Sequence, residues 1–235
     1  MRLALWTPGA GRPEVAVLAS ALRREAALLV VEAAPRQRPE VDLDLYHLAD
    51  EARHGFVYRA LRERPGLVWL ESPSLHALVH SETAGRGDRA GYLREARRAH
   101  GPAGAFVAGQ VLRGAGGALG SLLTLTDRVL ESALALVSES AALAGELEAP
   151  LVVVPPLTAA SAGATAAVVA ELARRVAPQL PEAARRLRES RERDATPLGR
   201  ALDELRPFAR ELGLRRLPTG VEPLLGGLFD APRRP

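Results

Sequence analysis

The stretch Thr83-Ala84-Gly85-Arg86-Gly87-Asp88-Arg89-Ala90-Gly91-Tyr92-Leu93-Arg94-Glu95-Ala96-Arg97-Arg98-Ala99-His100-Gly101 lies between two short apolar runs, Leu67-Val68-Trp69-Leu70 and Leu134-Ala135-Leu136-Val137. Both runs read as buried strands, being brief, continuous and apolar. The segment from Pro73 to about Arg113 is mostly helical in pattern. A strand, a helical crossover and a second strand make the unit of a parallel sheet.

The same alternation continues outward in both directions. Leu3-Ala4-Leu5-Trp6 is a strand ended by the turn Thr7-Pro8-Gly9-Ala10-Gly11. Pro13 and Glu14 suit the first turn of a helix, and Val15, Leu18, Ala19 and Leu22 form its apolar stripe. Residues 27–31 are a second strand. Val41-Asp42-Leu43-Asp44-Leu45-Tyr46 alternates at period two and runs on to Leu48 as a third. Phe56, Tyr58, Leu61 and Arg64 place a helix that Pro65-Gly66 stops before the fourth strand. Downstream, 114–120 reads as a flexible glycine-rich loop, 127–133 as a helix start, and 134–137 and 151–154 as two more strands. The expected fold is therefore α/β: a Rossmann-like parallel sheet with helices on both faces, spanning residues 1–157. Pro155-Pro156 ends the last strand, and a helical tail packing on that domain is expected over 158–235. Its first helix carries Val168, Val169, Leu172, Val176 and Leu180; its second covers 183–193. Its third carries Leu198, Leu202, Leu205, Phe208 and Leu212, with a kink at Pro207 and a stop at Gly213. The Pro/Gly/Arg-rich end, 223–235, is expected to fray.

The chain has 235 residues, 47% of them hydrophobic, enough for a substantial core. It contains no Lys, Asn, Ile or Cys, so all 31 basic residues are Arg. Lys, Asn and Ile share AT-rich codons, which points to a GC-rich bacterial genome rather than to a partner. The isoelectric point near 10.1 accompanies a net charge of only +3, because Arg does not titrate in the relevant range. Acidic residues are interspersed with Arg, with no basic stripe or RNP-like motif, so nucleic acid is not an expected partner. Zero Cys excludes disulfides and thiolate chemistry. No run reaches the roughly 18 apolar residues of a membrane span. The N-terminus lacks the pattern of a signal peptide, and a cytoplasmic location is expected.

Read for chemistry, the chain offers few signals. Pro8-Gly9-Ala10-Gly11 can wrap a phosphate at a helix N-terminus, but it lacks a dinucleotide fingerprint and a P-loop Lys, and a plain strand-to-helix turn is the stronger reading. His76 and His80, four apart on a helix, have no convincingly spaced third ligand, so no metal is expected. Glu71 falls at a strand end and is the one candidate general base, against the simpler reading of a solvent-facing Glu. Ser72, Ser74 and Ser138 lie in no nucleophile elbow.

Several segments, taken in order, resemble the N-terminal, acceptor-side domain of bacterial family-4 glycosyltransferases of the GT-B fold. The most specific is 85–101. Tyr46-His47-Leu48 followed by His54-Gly55-Phe56-Val57-Tyr58-Arg59-Ala60-Leu61, then Pro65 through Leu70, Arg128 through Ser140, and Val152-Val153-Val154-Pro155 complete it. The resemblance covers about residues 1–157. In that fold two Rossmann-like domains face each other, and the second grips the nucleotide-sugar. The sequence departs from the family pattern at strand ends. Glu71-Ser72 stands where His-Asp is usual, Glu139-Ser140 where His-Ser is usual, and Ala49-Asp50-Glu51 where a Gly-Asn-Asn type turn is usual. The first loop is shortened to Pro8-Gly9-Ala10-Gly11. Glu51, Glu71 and Glu139 add negative charge where a donor diphosphate would approach.

The resemblance implies a chain that carries only the acceptor-side half, without the donor domain, and is inactive by itself as a transferase. It implies substrate-binding roles for His54 and for Tyr92, Arg94 and Glu95, against the simpler reading of the last three as an ordinary amphipathic helix, and a sugar or lipid-linked acceptor; the phosphate-wrapping reading of the first turn adds Gly9 and Gly11, and no cofactor is expected. As a pseudoenzyme or accessory subunit it would join homo- or hetero-oligomers with a related glycosyltransferase. Two alternatives stay open: an enzyme completed in trans by a separate donor-binding chain, and a pure protein-interaction module.

Overall fold

The computed structural model describes residues 1–115, 117–147 and 149–195. Six strands form one sheet: β1 (Arg2–Trp6), β2 (Ala27–Val31), β3 (Leu43–Leu48), β4 (Gly66–Leu70), β5 (Ala133–Ser138) and β6 (Leu151–Val153). Their order is β2-β1-β3-β4-β5-β6 and every pairing is parallel. Helices α1 (Pro13–Glu25), α2 (Gly55–Glu63), α3 (His76–Glu82), α4 (Arg89–Gln110), α5 (Asp127–Ser132), α6 (Ala141–Glu146), α7 (Ala162–Val176) and α8 (Leu180–Ala195) surround it. The architecture is a Rossmann-like α/β sheet.

The parity of each strand decides its two faces. Leu3, Leu5, Leu43, Leu45, Leu67, Trp69 and Val137 pack with α1 and α7. Ala4, Trp6, Tyr46, Leu48, Val68, Leu70 and Leu136 pack on the other face, with residues of α2, α3 and α4. Both faces are covered, so β3 and β4 are buried at every position. The alternation of Leu43-Asp44-Leu45 therefore does not mark a half-solvated strand. Asp44 is fully buried and its charge is met by Trp6 Nε1–H at 2.7 Å and Arg38 Nη2 at 3.0 Å. Arg38 also lies over the Trp6 ring, 5.0 Å from its centroid.

The 83–101 stretch is helical in the way its glycines and acids allow. Asp88 caps α4 by accepting the Gly91 N–H at 2.6 Å. A Cβ at position 91 would lie 2.1 Å from that carboxylate, so glycine is what lets the cap close. α4 then breaks at Gly101, whose φ of 63° and ψ of −153° are open to glycine and strained for other residues. Pro102 follows at the start of the second half, where its missing N–H is harmless. The glycine-rich segment read as a flexible loop instead contains a π-helical turn (Val111–Ala115) and a 3-10 turn (Gly117–Leu122). α6 went unread because its six residues are too short for a periodicity to show.

Two helices of the expected tail are present as α7 and α8. α7 buries Ala162, Ala166, Val169, Ala173 and Val176 in the same core as α1. α8 buries only Leu187 among its large apolar side chains and is tied down by charge. Asp194 pairs with Arg98 at 2.9 Å and with Arg128, while Arg98 also pairs with Glu131, and Arg128 with Glu95 at 3.0 Å. Arg98 is 1% exposed, so this network is an interior link between α4, α5 and α8. The third expected helix, from Leu198 to Leu212, lies outside the described residues. No helix of the described residues is long and apolar enough to cross a membrane.

Candidate functional site

In open parallel sheets ligands bind beyond the carboxyl ends of the strands, near the point where strand order reverses. Here that point lies between β1 and β3. The parity that sends Leu5, Leu45, Trp69 and Val137 toward α1 and α7 also decides what stands at this edge. One step of two further along each strand come Thr7, His47, Glu71 and Glu139. The pairings Leu5↔Leu45, His47↔Trp69 and Trp69↔Val137 put these four ends side by side.

Three of the four form one hydrogen-bonded chain. The Gly9 N–H donates to Thr7 Oγ1 at 3.1 Å. Thr7 Oγ1 lies 2.9 Å from His47 Nδ1, and His47 Nε2 lies 2.6 Å from Glu71 Oε1. The fully buried Thr7 hydroxyl has one acceptor for its proton, His47 Nδ1. The Nε2–H of the imidazole donates to the Glu71 carboxylate. Arg12 adds a second contact to Glu71 Oε1 at 3.4 Å. The hydrogen bond from His47, opposed by burial and helped by the charges of His47 and Arg12, holds the Glu71 carboxyl below its usual range. Glu71 is thereby a fixed, ionised hydrogen-bond acceptor.

A small cleft opens here, lined by Leu5, Val15, Leu18, Trp69 and Leu157 on its apolar side and by Glu14, His47, Glu71 and Glu139 on its polar side. Glu139 accepts the Leu157 N–H at 3.1 Å through Oε2, and Glu14 meets Arg12 at 3.5 Å through Oε1. The lining is thus rich in acceptors. Among the described residues no group of three or more His, Asp or Glu is placed to hold a metal ion.

The residues singled out from the sequence fall in three places. Glu71 lines the cleft. Gly9 and Gly11 belong to the loop beside it, though the Gly9 N–H is already engaged by Thr7. His54 packs edge-on against His47, ring centroids 5.2 Å apart, and its Nδ1 meets the His47 carbonyl oxygen at 2.9 Å. It is 1% exposed and its Nε2 is buried without a partner. Burial pulls its pKa down to about 4. Tyr92, Arg94 and Glu95 are all on α4, across the sheet. Tyr92 is buried and bonds His76 Nε2 at 2.6 Å; burial pushes its hydroxyl up to about 12. Arg94 pairs with Asp88 at 3.4 Å on the surface, and Glu95 with Arg128. Glu51 is exposed and pairs with Arg53, apart from the cleft lining. His47, Thr7, Glu14 and Arg12 were not singled out. The signal that could have found His47 and Thr7 is parity: each is polar, and each continues the apolar face of its strand past its last leucine.

No family model, curated protein or solved structure matches the chain.

Proposed function

We propose that this chain is a glycosyltransferase-like protein that keeps the acceptor-side half of a GT-B architecture, binds a hydroxyl-rich acceptor at the carboxyl edge of its sheet, and transfers no sugar by itself. The observation that carries this reading is the cleft at the strand ends with Glu71 pinned and ionised in its wall. A carboxylate held this way accepts hydrogen bonds from hydroxyl groups, as a sugar requires. It also repels the diphosphate of a nucleotide-sugar, and Glu139 and Glu14 add to that repulsion. The succession of family-like segments supports the same reading, because from Tyr46 onward they fall in order on β3, β4, β5 and β6 and end where β6 leaves the sheet. Such a chain serves as a pseudoenzyme or accessory subunit beside a complete relative.

The test is a calorimetric titration of the purified protein with free sugars and with a panel of nucleotide-sugars. Sugar binding without nucleotide-sugar binding is the expected result. Micromolar binding of any nucleotide-sugar would overturn the claim that donor recognition is absent.

A further inference from the structure

We propose that β2 is a self-association edge: two copies of this chain pair β2 to β2, antiparallel about a two-fold axis at Leu29, into one continuous sheet. The proposal does not depend on the acceptor reading above. β2 closes one side of the sheet, since its one neighbour is β1. The Ala27 N–H donates to the Met1 carbonyl oxygen at 3.1 Å, and the Val31 carbonyl oxygen accepts the Thr7 N–H at 3.0 Å. Residues 27 and 31 thus turn their main-chain groups to β1, and Leu29, halfway between them in an unbroken register, does the same. Alternation then turns the N–H and C=O of Leu28 and Val30 to the open side. Neither residue has a main-chain partner there among the described residues. Proteins commonly guard such an edge with charge, proline or a bulge. Ala27-Leu28-Leu29-Val30-Val31 carries no charge and no proline, and its register against β1 never shifts. The opposite edge is guarded: β6 has three residues, with Pro150 just before it and Pro155 two positions after it.

Three features select a second copy as the partner. The first is hydrogen-bond matching. Antiparallel pairing centred on Leu29 sets Leu28 of each copy opposite Val30 of the other. Both pairs are of the hydrogen-bonded kind, so every open N–H and C=O of the two edges is satisfied. The second is the side chain at the axis. Leu29 lies on the sheet face of Ala4 and Trp6, yet it is 46% exposed and belongs to neither core. On the axis it stands opposite its own copy in the non-hydrogen-bonded position, where side chains approach most closely. The third is charge. β2 is entered from Arg23-Arg24-Glu25 and left through Glu32, all exposed. Arg23, Arg24 and Glu32 have no ion-pair partner among the described residues. An antiparallel copy brings each net-positive entrance beside the other copy's negative exit, twice, whereas a parallel copy brings like ends together.

The experiment uses the full chain and single substitutions at exposed positions. The chain has no cysteine, so Leu29→Cys is a clean reporter. Opposed residues at a non-hydrogen-bonded antiparallel position have Cα atoms about 4.5 Å apart, within disulfide reach. Mild oxidation should therefore link Leu29→Cys into a covalent dimer. Val153→Cys, on the other edge and 45% exposed in the wild type, reports chance collisions and should link about tenfold more slowly. In sedimentation velocity the wild type should pass from monomer to dimer with a dissociation constant on the order of 10 μM, as suits a small interface. Leu29→Lys sets two ammonium groups face to face and should raise that constant about tenfold with the circular dichroism of the fold unchanged. The Leu28 and Val30 amides should exchange more slowly in the dimer than in the monomer. A wild type that stays monomeric up to about 1 mM overturns the inference. A dimer that tolerates Leu29→Lys, or cysteine variants that link at equal rates, overturns it by placing the contact elsewhere.

Discussion

His54 should make the stability of this protein fall steeply between neutral and mildly acidic pH. Its ring is 1% exposed. Its Nδ1–H is spent on the His47 carbonyl oxygen at 2.9 Å, so a second proton must go on Nε2, which is buried with no partner. Burial is the largest influence and disfavours the cation. The His47 carbonyl and the charges of Glu71 and Glu51 favour it but do not prevail, and the pKa drops from 6.5 to about 4. The folded state therefore keeps His54 neutral where the unfolded chain already binds a proton. The stability from this group is complete above the unfolded value, drains as pH falls below it, and is gone once pH passes the folded value. At 1.36 kcal/mol per pH unit, the window is worth roughly 3 kcal/mol. Urea unfolding at several pH values between neutrality and about pH 4 measures the slope. The comparison protein is His54→Asn, whose amide can still donate to the His47 carbonyl. The wild type should lose about 3 kcal/mol more than the variant across the window, whatever the variant's starting stability. Parallel slopes, or a His54 ring that titrates by NMR near its ordinary value, would refute the reasoning.

Other outcomes follow from the same contacts. Arg98→Met should destabilise the fold by about 1–3 kcal/mol in denaturant unfolding, because it removes the buried guanidinium that Glu131 and Asp194 share and leaves both acids to Arg128 alone. A cost under about 1 kcal/mol would mean that the network contributes little. Asp194 has the opposite pH window from His54. Burial alone would raise its carboxyl, but Arg98 and Arg128 outweigh that and hold it below the usual range, so its contribution is present above the unfolded value and is lost only as pH falls through the lowered one. Amide exchange in α8 should accordingly accelerate in strong acid before exchange in the central strands does. Gly101→Ala should cost about 1–3 kcal/mol, since it forces a side chain onto a backbone geometry that glycine alone tolerates; an unchanged melting temperature would exclude the kink.

The order of the six strands along the chain, and the burial of the central β4 on both faces, could be read from the sequence alone. Runs such as Ala27-Leu28-Leu29-Val30-Val31 and Leu67-Val68-Trp69-Leu70 leave little choice once helical stripes separate them. Helix α1 was legible for the same reason, with Pro13 and Glu14 opening it and one apolar stripe along it. Local pattern also carried Glu71, because a charged residue directly after a buried strand falls at the sheet's edge. What it could not carry was company. Thr7, His47, Glu71 and Glu139 are separated by 24 to 68 residues, and only the parallel register sets them next to one another. Asp44 read as an ordinary alternating position, and it is Trp6, Arg38 and Arg64, brought to it through the fold, that make its burial tolerable. Arg98 looked like one more surface arginine on a helix until α8 closed over it with Asp194. Periodicity is a property of neighbours along the chain, so the sequence determined which residues face inward. Hydrogen bonding and charge compensation act across space, so which polar groups meet, and whether they make a site or a strut, was left to the tertiary structure.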